Sequence, residues 1–196
     1  MNNYNYIIPF ITFKEEDNKF LHLQIIKRKK DTKDAEVSSK TIAQYYVTSI
    51  EYLNKIMPDI IKICDVLDAR AYINLNVKSF DHLAKELLIL LSQRFWQSNF
   101  AKIPRLLSHA AGSIKTDNRA DQKWIIDIDK ENINQIYEII KFLEVTSVKI
   151  YAQIPTKSGI HIITSPFNSN LFYDSFGCID IHTNNPTVLY IPETLM

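Results

Sequence analysis

Glycine is nearly missing from this chain: Gly112, Gly159 and Gly177 are the only three in 196 residues. A phosphate cradle of closely spaced glycines needs several in one short loop, because only a residue without Cβ lets backbone wrap so tightly. Neither a P-loop nor a dinucleotide fingerprint can be assembled, which argues against most kinases, nucleoside triphosphatases and Rossmann enzymes. Cysteine is equally sparse. Cys64 and Cys178 sit in apolar surroundings with no CxxC partner, so a disulfide framework or zinc site is not expected, and two buried thiols in a reducing compartment are. No apolar run approaches the ~20 residues that cross a bilayer. The opening MNNYNYIIPFITFKEED has no basic start, long apolar run or small-residue cleavage site. A cytoplasmic location without membrane contact is therefore expected. The net charge of +1 carries no overall basic signal for nucleic acid. Lys27, Arg28, Lys29 and Lys30 nevertheless form a basic run, with Lys33 soon after; the simplest reading is a solvated strand end.

What is present suits one folded unit. Apolar residues make up 46% and charged residues 23%, enough to build a core for a single domain over 1–196. Residues 6–13 and 20–29 read as two strands of a hairpin around the polar turn EEDN. Residues 30–38 read as a charged loop. Ser39 is then expected to cap a helix with Ile42, Tyr45, Tyr46, Ile50, Leu53 and Ile56 on its apolar face, and Pro58 to begin a second. RAYINLNV, 70–77, alternates as a half-buried strand with Tyr72, Asn74 and Asn76 on one face. A helix over 80–97 capped by Ser79, a shorter one over 103–111 ended by Gly112, and a polar loop over 113–122 follow. The last third reads as a strand at 123–129, a helix at 131–143, and strands at 147–154 and 160–164. A connector at 167–176 and short extended pieces at 178–181 and 187–191 complete it. Strand–helix–strand–strand predicts an α+β fold with helices on one face of a sheet.

Three elements carry chemistry. Asp127 and Asp129 lie two apart on a strand, so both carboxylates project from one face while Ile126 and Ile128 point to the buried one. Adjacent carboxylates repel unless a cation or proton relieves them, and hard oxygen donors suit Mg²⁺ or Mn²⁺; the plainer reading is two surface carboxylates where a strand meets a loop. The second element is PTKSGIH, where Lys157 and Ser158 offer donors at a Gly159 turn and His161 begins the next strand. That imidazole either touches a phosphate or sits in a polar patch. The third is Cys178-Ile179-Asp180-Ile181-His182, whose Asp180 either completes a carboxylate cluster or is an ordinary edge aspartate, with His182 on its face. His109 is expected at a helix end, Asn184 and Asn185 in a turn before Pro186, and Trp96 and Trp124 in the core rather than against bases.

Together WIIDID, KSGIH and Cys178-Ile179-Asp180 resemble the motifs of the archaeo-eukaryotic primase superfamily, which includes primase–polymerases of phages and other mobile elements. The motifs span 124–190, about a third of the chain. The resemblance implies a helical and mixed α/β N-terminal part, 1–112, packed on an RRM-like βαββ sheet unit, 123–196. It implies nucleotidyl transfer, with Asp127, Asp129 and Asp180 holding Mg²⁺ or Mn²⁺, and with His161, Ser158 and Lys157 binding a nucleoside triphosphate. Arg70, Lys78 and the 27–30 run become candidates for nucleotide or template phosphates. The partners implied are nucleoside triphosphates, a DNA or RNA template, and a helicase or replication protein. Two other readings stay open: a catalytically degenerate relative that binds nucleotide or nucleic acid without synthesis, and a metal-dependent nuclease.

Overall fold

A computed structural model describes residues 1–31, 38–116, 118–177 and 179–196. Lys33, which follows the basic run, and Cys178, a candidate buried thiol, lie outside the described residues. The chain opens with a short helix, α1 (Tyr4–Ile7), and a 3-10 turn through Pro9. The strand β1 (Lys19–Lys27), the strand β2 (Lys40–Val47) and the long helix α2 (Ile50–Leu67) come next. Strands β3 (Arg70–Ile73) and β4 (Lys78–Ser79), and helices α3 (Phe80–Trp96) and α4 (Leu106–Ser113), complete the first part. The second part runs β5 (Trp124–Asp129), α5 (Ile136–Val145), β6 (Ile150–Pro155), β7 (Gly159–Thr164), α6 (Ser169–Phe176), β8 (Asp180–His182) and β9 (Thr187–Tyr190). The fold is α+β with two antiparallel sheets, as the alternation of periods predicted in outline. None of its described helices is long and apolar enough to cross a membrane.

One sheet runs β2-β1-β3-β9, with β4 beside β1; the other runs β6-β7-β5-β8. Strand β9 thus leaves the second half of the chain and returns to the first sheet, pairing with β3. Alternation divides the first sheet's faces. Leu21, Leu23, Ile25, Ala71 and Ile73 share a buried cluster with Leu53, Ile60 and Cys64 of α2. That cluster continues into Ile125, Ile154 and Ile163 of the second sheet, so both sheets share one core. On the second sheet's other face, Ile126, Ile128 and Ile162 pack with Ile139 and Leu143 of α5 and Phe172 of α6. A third cluster joins Phe20 of β1 to Leu83, Leu90 and Leu106 of α3 and α4.

Five expectations are corrected. Residues 6–13 do not form a strand: Ile7 is buried from α1, and Ile11 and Phe13 from the irregular stretch after the 3-10 turn, and Pro9, which has no N–H to donate, fits a first turn better than a ladder. Ser39 caps no helix; β-branched and aromatic TIAQYYV pairs with β1 instead. The α2 cap is Ser49, whose Oγ accepts from the Tyr52 N–H at 3.1 Å, and Pro58 lies inside α2. The segment 70–76 is buried throughout, not half-buried: Ala71 and Ile73 of β3 pack into the shared core, Tyr72 packs with Val188 and Ile191 on the other face, and Asn74 and Asn76 beyond the strand are buried as well. The connector at 167–176 contains α6, whose Phe172 is fully buried. Ser79 caps α3 as expected, accepting from the His82 N–H at 3.2 Å.

Candidate functional site: a cleft between the two sheets

The polar face of β5 is set by register. Asp127 stands directly opposite His161 on β7 and opposite Asp180 on β8. Opposed residues of antiparallel strands project from the same face, so the three form a row across the second sheet. Asp129 lies one step along, opposite Gly159. That glycine is dictated by space: a Cβ there would meet the Ile128 carbonyl oxygen at 1.9 Å. The close approach lays residues 156–158 against the end of β5, where the Lys130 N–H donates to the Ser158 carbonyl at 2.7 Å and Ser158 Oγ donates to Asp129 Oδ1 at 3.3 Å.

Here the shared core ends and a cleft of about 440 Å³ begins. The second sheet lines it with Asp127, Asp129, His161 and His182, and the β6–β7 turn adds Lys157 and Ser158. The opposite wall is the first sheet's outer face, bearing Ile26, Arg28, Arg70, Tyr72 and Val188. His161 is buried and held from both sides: Nδ1 lies 2.8 Å from Thr187 Oγ1 and Nε2 lies 3.3 Å from Asp127 Oδ1. His182 Nε2 approaches the other Asp127 oxygen at 3.9 Å. One carboxylate therefore sits between two imidazoles, and the fully buried Thr187 hydroxyl orients the nearer ring.

Across the cleft, Arg28 donates to Tyr72 Oη at 3.1 Å. Arg70 is buried and ion-paired to Asp31, while its Nε has no partner. That wall thus carries two guanidinium groups, the Arg70 one paired with Asp31, facing the carboxylates of the floor.

The sequence-predicted residues divide as follows. Asp127, Asp129, His161, Lys157, Ser158 and Arg70 come together in the cleft. Asp180 is Asp127's ladder neighbour but is exposed on the edge strand β8, and it does not line the cleft. Lys78 is not a phosphate ligand: it is buried, and Nζ donates to the Ala111 carbonyl at 2.5 Å. Trp124 is buried as expected, but Trp96 is 90% exposed, against expectation. Sequence reasoning gave no role to Thr187, Tyr72 or the Asp31–Arg70 pair. Thr187 alternates with buried Val188 on a strand two turns from the motifs, so only the β3–β9 pairing discloses it.

Asp127 and Asp129 are donors of the hard-oxygen class. Among the described residues no group of three or more His, Cys, Asp and Glu converges on one point, so the protein supplies no closed cage. Mg²⁺ is commonly held by one or two carboxylates together with water and substrate phosphates, and Asp127 with Asp129 meets that smaller requirement. Comparison of the chain with protein-family models, curated proteins and solved structures found no match.

Proposed function

We propose that this chain is a metal-dependent nucleotidyltransferase of the primase–polymerase type, joining nucleotides on a nucleic-acid template. The observation that carries the reading is one cleft with Asp127, Asp129 and His161 on one wall and Arg28 and Arg70 on the other. Such a division suits a polyphosphate: carboxylates beside the reacting end, cations along the charged tail. The order β5-α5-β6-β7-α6-β8, with strands arranged β6-β7-β5-β8, supports an RRM-like unit for the second part.

Asp127 and Asp129 would hold Mg²⁺ or Mn²⁺, which when bound supplies charge neutralisation for a phosphoryl group and activates an attacking hydroxyl. The remaining roles belong to the chain. Lys157 and Ser158 present donors at the cleft mouth, and His161 is kept by Thr187 with Nε2 toward Asp127. Arg28 and Arg70 face them across the gap.

A second reading, a nucleotide-binding relative without synthesis, is favoured by Asp180's place outside the cleft lining. Nucleotide incorporation on a primed template with Mn²⁺, beside calorimetric titration of a nucleoside triphosphate, separates the two. Asp127→Asn is expected to lower incorporation on the order of 100-fold or more with circular dichroism unchanged. Triphosphate binding without incorporation by the wild type selects the second reading. Absence of both overturns the proposal, and template degradation in its place indicates a nuclease.

A further inference from the structure

The end of α3 carries large apolar side chains into solvent. Trp96 is 90%, Phe95 61% and Phe100 50% exposed. Phe95 and Phe100 meet edge to face with centroids 5.5 Å apart, which fixes their rings. Leu88 and Ile89 extend the strip along the same helix. Contiguous exposed apolar surface of this kind marks a contact surface, and the charge around it says for what. Between Glu86 and Asp117 the sequence has no carboxylate, while Arg94, Lys102, Arg105 and Lys115 all fall in that interval. Two of these, Lys102 and Arg105, belong to the same 3-10 segment as Phe100 (Phe100–Arg105), the ridge between α3 and α4. Among the described residues, Lys102 and Arg105 are exposed and make no ion pair.

From the ridge a groove of about 720 Å³ runs between α4 and the open edge of β2, lined by Arg105, Ser108, His109, Lys40 and Gln44. Ser39 lines both this groove and the Asp127 cleft. The two recesses therefore adjoin at that residue.

We infer that the α3–α4 ridge and its groove form a binding surface for single-stranded nucleic acid, with Trp96 and Phe100 stacking on bases and Lys102 and Arg105 contacting phosphates. Exposed ring faces between cations are the elements of sequence-tolerant single-strand binding. A second copy of the chain is a poorer occupant, because a two-fold contact would set these cations against themselves. The inference goes beyond the cleft chemistry and does not require it.

The test uses the whole chain in EDTA, without nucleotide, and labelled oligo(dT) and oligo(U) of roughly 16 nucleotides. Anisotropy is expected to report binding tighter than about 10⁻⁴ M for one or both, the difference between them showing whether DNA or RNA is preferred. Because Trp124 is buried, quenching of Trp96 emission should accompany it. Trp96→Ala and Phe100→Ala should each weaken binding by about tenfold, and Lys102→Ala and Arg105→Ala should each reduce the salt slope by about one. Trp96→Ala should leave triphosphate binding in the cleft unchanged. Triphosphate binding without oligonucleotide binding overturns the inference and spares the cleft reading; oligonucleotide binding without triphosphate binding does the reverse. Unaltered affinity in Trp96→Ala overturns it as well, as does a Trp96 response to an acidic peptide and to neither oligonucleotide, which would mark a protein-docking surface.

Discussion

Lys78 keeps an ammonium group inside the protein, beneath α4, with one carbonyl as its hydrogen-bonded partner. Burial lowers its pKa from 10.5 to about 8. His22 is also held down, to about 4, first by its own burial and then by the Lys78 charge. An unfolded chain keeps the lysine proton up to about pH 10.5, so between pH 8 and 10.5 it binds more protons than the folded one. Stability from this group therefore rises with pH across that window, and the cost is complete below it. The unfolding free energy of the wild type, relative to Lys78→Met, should climb from about pH 8 to about pH 10, by up to on the order of 3 kcal/mol in denaturant titrations. A flat difference would show that the ammonium is hydrated. Reading one residue at a time, a lysine beside a strand looks like a phosphate ligand; β4 is two residues long, and only its pairing with β1 buries Lys78. Asp127, Asp129 and His161 were legible for the opposite reason, since their alternation with isoleucine is a local property of each strand.

Elements show the same division between local and distant causes. Helix α3 and strand β5 announce themselves by cap, period and apolar face. Strand β2 does not: Ile42, Tyr45 and Tyr46 satisfy a helical spacing, and the ladder with β1 overrules it. Asn74 and Asn76 look like solvent positions until their partners are seen. Asn74 Nδ2 donates to the Asn184 carbonyl at 2.7 Å, and the Lys123 N–H donates to Asn76 Oδ1 at 2.6 Å. Those bonds seat the connection ahead of β5 and the turn ahead of β9. The β5–β7 contact is the element on which the cleft depends most. Gly159→Ala should force the strands apart where Ile128 comes closest. A loss of about 1–3 kcal/mol is expected, read as a lower melting temperature together with weaker triphosphate binding. Binding at wild-type strength would mean that residues 156–158 do not need that approach.

At the scale of the whole molecule, the cleft exists because the two sheets meet along one seam and diverge beyond it. The seam is stitched by the start of the chain. Asn3 is buried, and its Nδ2 donates to the Pro155 carbonyl of β6 at 2.8 Å and to the Val188 carbonyl of β9 at 3.0 Å, one from each sheet. No sequence period marks Asn3 as special, because both acceptors lie over 150 positions away. Asn3→Ala strips a buried and a part-buried carbonyl of that donor and should cost about 1–3 kcal/mol, seen in chemical denaturation and in faster amide exchange along β9. Unchanged exchange would locate the seam's strength elsewhere. Any ligand that pulls Arg28 and Arg70 toward Asp127 must lever the sheets about this fulcrum. The Asn3 carboxamide then shares the stiffness of the jaws with the joint core and with the His161–Thr187 bond, and it alone of the three lies away from the groups that grip.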